Sequence, residues 1–204
     1  MNALLLVVLS QFATDVFDNG TPFEEVENKD GVKVSKRAIK DSVFFENRIE
    51  LSTPYEPTMI CDAVYEWGTK KNDGPGVTLH KLLTDGENVR VVYDQITKPL
   101  VSDRDYALTI VRTHFDDGSC GIRFRVTNDA APPKPEKFVR MDKVWGEWRF
   151  VAHPKGGSSV TYTLFSDPAG AVPALFVHGA ARQAAKEAAL QAVETAKRAA
   201  EQKK

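Results

Sequence analysis

Three segments in the second half of the chain decide its fold. They read Val-Ser-Asp-Arg-Asp-Tyr-Ala from Val101 to Ala107, Phe-Val-Arg-Met and then Trp-Gly-Glu-Trp-Arg-Phe between Phe138 and Phe150, and Val-Thr-Tyr-Thr-Leu-Phe-Ser-Asp-Pro-Ala-Gly-Ala-Val-Pro from Val160 to Pro173. Apolar and polar residues alternate over Trp148–Phe150 in the second segment and over Val160–Leu164 in the third, which is typical of half-buried strands. The third segment runs into Asp-Pro-Ala-Gly, a turn signal, so it also marks where strands give way to a helix.

The same two-residue alternation extends outward over most of the chain from Phe23 onward. Turn signals such as Lys29-Asp30-Gly31 and Asp116-Asp117-Gly118 separate the alternating stretches, as hairpin loops do. The predicted strands are Glu24–Glu27, Val32–Lys36, Val43–Leu51, Val77–Thr84, Val89–Ile96, Tyr106–His114, Gly121–Asn128, Val139–Val144, Glu147–His153 and Val160–Ser166. Strands joined in this way predict an antiparallel meander.

Two helices interrupt or follow the strands. The residues Pro57 to Trp67 have helical spacing, and the Ala-rich stretch from Pro173 to about Gln202 predicts a long terminal helix whose first position suits proline. Its predicted apolar stripe is Val177, Ala180, Ala181, Ala184, Ala188, Ala192 and Ala196. Small alanine side chains would let this helix approach the sheet closely.

In their order and spacing the three segments resemble the START lipid-transfer domain, a branch of the helix-grip superfamily. The resemblance covers about Thr21 to Ala196 and includes Phe23-Glu24-Glu25-Val26 near its beginning. It implies an α+β helix-grip fold, in which a curved antiparallel sheet wraps around a long C-terminal helix and encloses a hydrophobic cavity, with that helix as a lid. We therefore expect one START-like domain over residues 21–204, after an N-terminal segment of residues 1–20.

The alternation also predicts which side chains face the interior. Polar residues that share a face with apolar ones include Asn47, Tyr93, Arg112, Asn128 and Tyr162, and each needs a partner because burial of an unpaired polar group costs roughly several kcal/mol. In a packed core the partner is protein, whereas in a cavity it can be a ligand or water. The predicted ligand-binding residues are Asn47, Tyr93, Ile110, Arg112, Phe124, Trp148, Tyr162, Phe176, Val177 and Ala180.

Three arginine or asparagine positions leave alternatives open. Asn47 and Asn128 can be strand-end residues in solvent, and Arg112 can hold an anionic headgroup or belong to a structural ion pair. For Arg104 and Asp105 a structural ion pair is favoured over a ligand contact.

The resemblance also raises the question of a sterol ligand. Cholesterol-carrying members of the family have a buried acid and arginine inside the tunnel. Aligned on Arg104 and Asp105, those positions fall at Val91 and Ile110, both apolar, so the resemblance gives no support for a sterol.

The sequence offers no catalytic motif. The histidines His80, His114, His153 and His178 lack metal-binding spacing, and no nucleophile elbow or phosphate loop is present. We expect no catalytic residue, no metal and no cofactor, and a binding protein rather than an enzyme. The alternative is a polyketide cyclase or aromatase, because proteins of this superfold carry out such reactions with tyrosine and arginine residues of the cavity wall.

The composition of the chain limits the classes of partner that it can attract. A net charge of −1 over 204 residues gives no attraction to nucleic acid or to an acidic membrane. The expected partner is a lipid or other hydrophobic small molecule, with transient membrane contact, and the expected state is a monomer. Cys61 and Cys120 can form a disulfide, but two buried free thiols are favoured.

The first 20 residues have two interpretations. Ala3–Leu9 is an apolar run of the length of a signal-peptide core, although no Lys or Arg precedes it, and the alternative is a first helix to about Val16. A signal peptide would make the protein periplasmic or secreted, and a helix would make it cytoplasmic.

Overall fold

Ten strands in the described part of the chain form one curved sheet, in which nine pair antiparallel and the tenth pairs parallel at the side. The structure is a computed structural model that describes residues 21–74, 76–97, 102–170, 172 and 174–202, and the backbone alone for 174–177. The predictions for residues 1–20 lie outside the described residues. The strands are β1 Glu24–Lys29, β2 Val32–Ala38, β3 Phe45–Thr53, β4 Val77–Asp85, β5 Val89–Ile96, β6 Arg104–His114, β7 Cys120–Val126, β8 Val139–Arg140, β9 Lys143–Ala152 and β10 Ser158–Asp167.

The order of strands in the sheet follows the order in the chain except where β3 neighbours β10 and β9 neighbours β7. Neighbours run β1-β2-β3-β10-β9-β7-β6-β5-β4, and β8 pairs with β6 in parallel. Two helices, α1 Pro57–Lys70 and α2 Ala174–Glu201, cover the inner face, and a 3₁₀ turn, Asn128–Ala130, follows β7. The α+β helix-grip fold predicted from the sequence is confirmed.

The predicted boundary between two of the strands is wrong. The sequence suggested separate strands Val139–Val144 and Glu147–His153, but β9 runs unbroken from Lys143 to Ala152. Gly146 lies at the supposed break and pairs with Phe124 on one side and Leu164 on the other. A Cβ atom at Gly146 would lie 2.3 Å from Cζ of Phe124, so the glycine admits the aromatic ring and does not interrupt the strand.

The expectation of two free thiols is also wrong. Cys61 on α1 and Cys120 at the start of β7 form a disulfide, with their Cα atoms 6.1 Å apart and both residues fully buried. Because α1 packs against β7 and β9, the fold brings together two cysteines that are 59 positions apart in the sequence.

Helix α2 packs against α1, β3 and β10 through alanines. Among its residues from His178 onward, the buried ones are Ala185, Ala189, Ala192 and Ala196. The predicted stripe contained the last two but missed the first two, because a spacing of four residues departs from the 3.6-residue helical period within a few turns. No helix among the described residues is long and apolar enough to cross a membrane.

Candidate ligand cavity

A cavity of about 580 Å³ lies between the inner face of the sheet and the two helices. Strands β4 to β7, β9 and β10 form its wall, α1 covers one side and α2 the other. The volume is in the range of sites that enclose one small organic molecule. The exposed Leu190 of α2 and the neighbouring Glu187 and Glu194 form part of its rim.

Most of the wall is apolar or aromatic. Leu108, Ile110 and Ile122 supply aliphatic surface, and the rings of Trp148 and Tyr162 stack with their centroids 3.8 Å apart. The pairing of β9 with β10 places those two residues directly opposite each other. Such a wall favours an apolar ligand, because burial of apolar surface contributes about 25 cal/mol per Å².

One carboxylate interrupts the apolar wall. Asp94 of β5 lines the cavity and is only 1% exposed. Its Oδ1 lies 2.6 Å from Nδ1 of His80, and its Oδ2 accepts a hydrogen bond of 3.0 Å from Nδ2 of Asn72. The acid is therefore anchored from β4 and from the segment that follows α1.

His80 is held between two acceptors. Its Nε2 lies 2.9 Å from the carbonyl oxygen of Thr69 near the end of α1, while its Nδ1 faces the Asp94 carboxylate. Both ring nitrogens therefore donate, which requires the imidazolium form. Burial on its own lowers the pKa of His80, but the hydrogen bonds to Asp94 and Thr69 outweigh it and raise that pKa above its ordinary value.

Two tyrosines bring further polar groups to the cavity. Tyr106 lies directly across from Asp94 in the β5–β6 pairing, and Tyr162 comes from β10. Burial raises the pKa of both phenols, and the Asp94 charge and Tyr162 add to the effect on Tyr106. Both hydroxyl groups therefore stay neutral, and neither has a hydrogen-bond partner among the residues that the structure describes.

The structure brings together four of the ten predicted ligand-binding residues. Ile110, Phe124, Trp148 and Tyr162 all line the cavity. Ala180 is exposed and lies outside the described lining. For Phe176 and Val177 the predicted contacts lie outside the described side chains and stay predictions.

Tyr93 lies on the face of the sheet opposite the cavity. Its hydroxyl donates to Oδ2 of Asp105 at 2.9 Å and accepts from Nε2 of Gln95 at 3.0 Å. The inward residues of β5 are Val92, Asp94 and Ile96, so the predicted face of this strand, shared by Val89 and Val91 with Tyr93, is wrong.

Arg112 lies on the predicted face of β6 but beyond the end of the cavity. Its guanidinium donates to Oδ1 of Asp62 at 2.9 Å and to Oδ1 of Asn88, and it stacks over the ring of Tyr65. These contacts match the structural ion pair that the sequence left open for Arg112, and its proposed contact with an anionic headgroup has no counterpart in the cavity lining.

The two asparagines have protein partners. Asn47 is buried, and its side-chain amide contacts the carbonyl oxygen of Phe45 at 3.4 Å. Asn128 accepts from the backbone N–H of Ala107 and donates to the carbonyl oxygen of Met141, so it joins three segments of the fold. Neither side chain belongs to the described lining, and a ligand contact for Asn47 stays a prediction.

Arg104 and Asp105 are structural, but they do not pair with each other. Asp105 is fully buried and forms an ion pair with Arg140, which fastens β8 beside β6. Arg104 donates to the carbonyl oxygens of Ser102, Pro168 and Ala169. Asp105 thus holds β8 against β6, and Arg104 holds the turn that precedes α2.

Sequence reasoning missed Asp94 and His80 as parts of the site. The available signal was cross-strand register, because Tyr106 was placed on the inward face and an antiparallel partner directly across from it must face the same way. Among the described residues no group of three or more His, Cys, Asp and Glu side chains is placed to hold a metal ion.

Comparison with solved structures confirms the fold. A STAR-related lipid transfer protein from Xanthomonas axonopodis matches with a TM-score of 0.76 at 19% identity, over 87% of this chain and 99% of that one. Human STARD10 matches with a TM-score of 0.75 at 16% identity, over 100% of this chain and 82% of that one. Human StAR-related lipid transfer protein 5 matches with a TM-score of 0.69 at 15% identity, over 96% and 94%.

These likenesses show that the chain has the START-type helix-grip fold. No protein-family model and no curated protein matches the sequence. The function therefore has to be argued from the cavity itself.

Proposed function

We propose that the chain binds one hydrophobic small molecule in the cavity and serves as its carrier or sensor. The observation that carries the proposal is the cavity of about 580 Å³, with a largely apolar wall, between the sheet, α1 and α2. The START-type fold supports it, since the Xanthomonas protein of the same fold is a lipid transfer protein. Affinity would come from burial, at about 2.5 kcal/mol per 100 Å² of apolar surface removed from water.

A fluorescent apolar dye, N-phenyl-1-naphthylamine, tests the proposal directly. We expect its fluorescence to rise on binding with a stoichiometry of one, and native mass spectrometry of the purified protein to show retained ligand. The variant Ala188→Phe places a ring into the cavity lining from α2 and should abolish dye binding. The matched control is Ala180→Phe, because Ala180 is on the same helix, is exposed and lies outside the described lining. Equal dye binding by the two variants would contradict a site in this cavity.

Helix α2 is the proposed gate. It packs through alanines, which bury little area per residue, so its docking should be weaker than the pairing of the central strands. Hydrogen exchange should show earlier opening across residues 178–188 than across β6. Equal protection of the two segments would argue against a helix gate.

A cyclase or aromatase acting in the same cavity is the second candidate. Asp94, Tyr106 and Tyr162 favour it, because they place one acid and two phenols in the wall. Conversion of an aromatic polyketide by the purified protein would support the enzyme, and binding of that compound without conversion would support the carrier.

Several further expectations accompany the proposal. A monomeric state, transient membrane contact and the absence of a nucleic-acid partner all stay predictions. The exposed Leu190 at the rim is the apolar residue best placed for such a membrane contact.

A further inference from the structure

Three polar side chains of the cavity wall lie close to one another. Asp94 and Tyr106 are direct cross-strand partners, and Tyr162 lies close enough to act electrostatically on the Tyr106 phenol. All three residues line the cavity, and they come from three different strands. A ligand against this part of the largely apolar wall would meet these three groups together.

Hydrogen bonding in this region is incomplete. Each oxygen of the Asp94 carboxylate takes one bond from the protein, from His80 and from Asn72, although a carboxylate offers about four acceptor sites. The hydroxyl groups of Tyr106 and Tyr162 lack partners within the described part of the chain. The region therefore has unused acceptors on the acid and unused donors on the phenols. Neither hydroxyl is among the fully buried side-chain atoms of the described residues that lack a partner, so both keep surface on which a partner can bind.

The charges of the wall exclude an anionic ligand group. The charged residues of the described lining are Asp94, Glu187 and Glu194, and the described lining contains no Lys, Arg or His. A carboxylate or phosphate in the cavity would face these acids without a cation in contact. Arg112, which was predicted to bind the ligand, forms an ion pair with Asp62 instead.

A cationic group is disfavoured for a different reason. Asp94 already faces the imidazolium of His80, whose two nitrogens both donate. The buried charge is therefore neutralised by the protein, and an ammonium group beside it would be desolvated without a second counterion.

From this arrangement we propose that the cavity selects a hydrophobic ligand whose polar end is an uncharged hydroxyl group, bound by Asp94, Tyr106 and Tyr162. A hydroxyl group donates one hydrogen bond and accepts others, so it can donate to the Asp94 carboxylate and accept from a tyrosine. His80 is a positioning residue that fixes the carboxylate. The inference rests on the proposed function, since it specifies the ligand class of the same cavity.

Displacement of N-phenyl-1-naphthylamine by three matched chains tests the inference at neutral pH. The chains are 1-dodecanol, dodecanoate and dodecylammonium, which share a tail and differ in their end group. We expect 1-dodecanol to displace the dye at the lowest concentration.

Tyr162→Phe and Tyr106→Phe then test the residues. Each variant removes a hydroxyl group that has no described protein partner, so folding should be preserved. We expect the affinity for 1-dodecanol to fall roughly two- to twelvefold relative to the affinity for the dye in the same variant, which is the usual net effect of one hydrogen bond. The matched control is Tyr93→Phe, because its hydroxyl lies on the opposite face and pairs with Asp105.

The outcomes separate the two levels of the proposal. A protein that fails to bind the dye overturns the hydrophobic-ligand function and the hydroxyl inference together. If the dye binds but dodecanoate or dodecylammonium displaces it as well as 1-dodecanol does, only the hydroxyl inference falls. Unchanged 1-dodecanol affinity in both tyrosine variants overturns the assignment of these residues.

Discussion

Removal of the Cys61–Cys120 disulfide should strongly destabilise the fold. The bond joins α1, which covers the cavity, to β7 in the wall, and it closes a loop of 59 residues. For a loop of that length, the lost constraint on the unfolded chain lowers the free energy of unfolding by about 4 kcal/mol. Since small domains are stable by roughly 5–15 kcal/mol, this is a large share of the total.

The double variant Cys61→Ala/Cys120→Ala is the appropriate test, because alanine leaves no unpaired polar group in a fully buried site. Urea unfolding of the variant and of the oxidised protein measures the difference, and dye binding reports whether α1 still covers the cavity. The control is the unmodified protein with and without reductant, which should reproduce the difference. Two reactive thiols in the oxidised, denatured protein, or an unchanged free energy of unfolding, would refute the reasoning.

Three other predictions concern backbone space and protonation. Gly157→Ala should lower the free energy of unfolding by about 2 kcal/mol or more, since Gly157 has φ +75° and its new Cβ would lie 2.0 Å from a backbone oxygen. The control is Gly156→Ala, at φ +91° with open space around the new Cβ, and urea unfolding should show a smaller loss of stability for it. Gly146→Ala should both destabilise the fold and weaken dye binding, because the new Cβ would lie 2.3 Å from Cζ of Phe124 in the cavity wall and 2.4 Å from the backbone oxygen of Thr163. Unchanged urea unfolding together with unchanged dye affinity would contradict this prediction. Because folding raises the pKa of His80 above 6.5, its stabilisation should be complete at low pH and disappear as pH rises through the folded-state pKa. The difference in unfolding free energy between the protein and His80→Gln should therefore shrink from about pH 5 to about pH 9, and a difference that grows would contradict this sign.

The sheet and the long helix were predictable because their patterns are locally consistent. On β7 and β10 one face is apolar and the other is mostly polar, so Phe124 and Tyr162 could be placed inside from alternation, and Ile110 of β6 from the run Tyr106, Leu108, Ile110. The Ala-rich helix likewise follows from composition. These features depend only on residues that are close together in the sequence, so they can be predicted from one sequence.

The face of β5 could not be predicted in this way, because both of its faces are buried in part. Tyr93 is 2% exposed on the outer side, where it bonds to Asp105, whereas the inner side includes the charged Asp94. Alternation therefore favoured the wrong set of residues. A buried acid with a histidine partner from the neighbouring strand is visible only once the pairing of β4 with β5 is known.

The disulfide and the ion pair of Arg112 each join residues that are even farther apart in the sequence. Cys61 and Cys120 meet because α1 packs on β7, and Arg112 meets Asp62 for the same reason. Nothing in the spacing of these residues indicates the docking of one short helix. Once α1 is placed, both contacts follow from it.

The contacts of Arg104 connect the fold to the proposed gating. Its guanidinium holds the carbonyl oxygens of Pro168 and Ala169, in the turn between β10 and α2. The adjacent Asp105 is fixed from the other side by Arg140, so this part of β6 is braced by two charged groups. If α2 opens to admit a ligand, its fixed end is this turn, and the opening must take place along the helix beyond it. Arg104 and Asp105, which belong to the first of the segments that indicated the fold, would then also fix the end about which α2 moves.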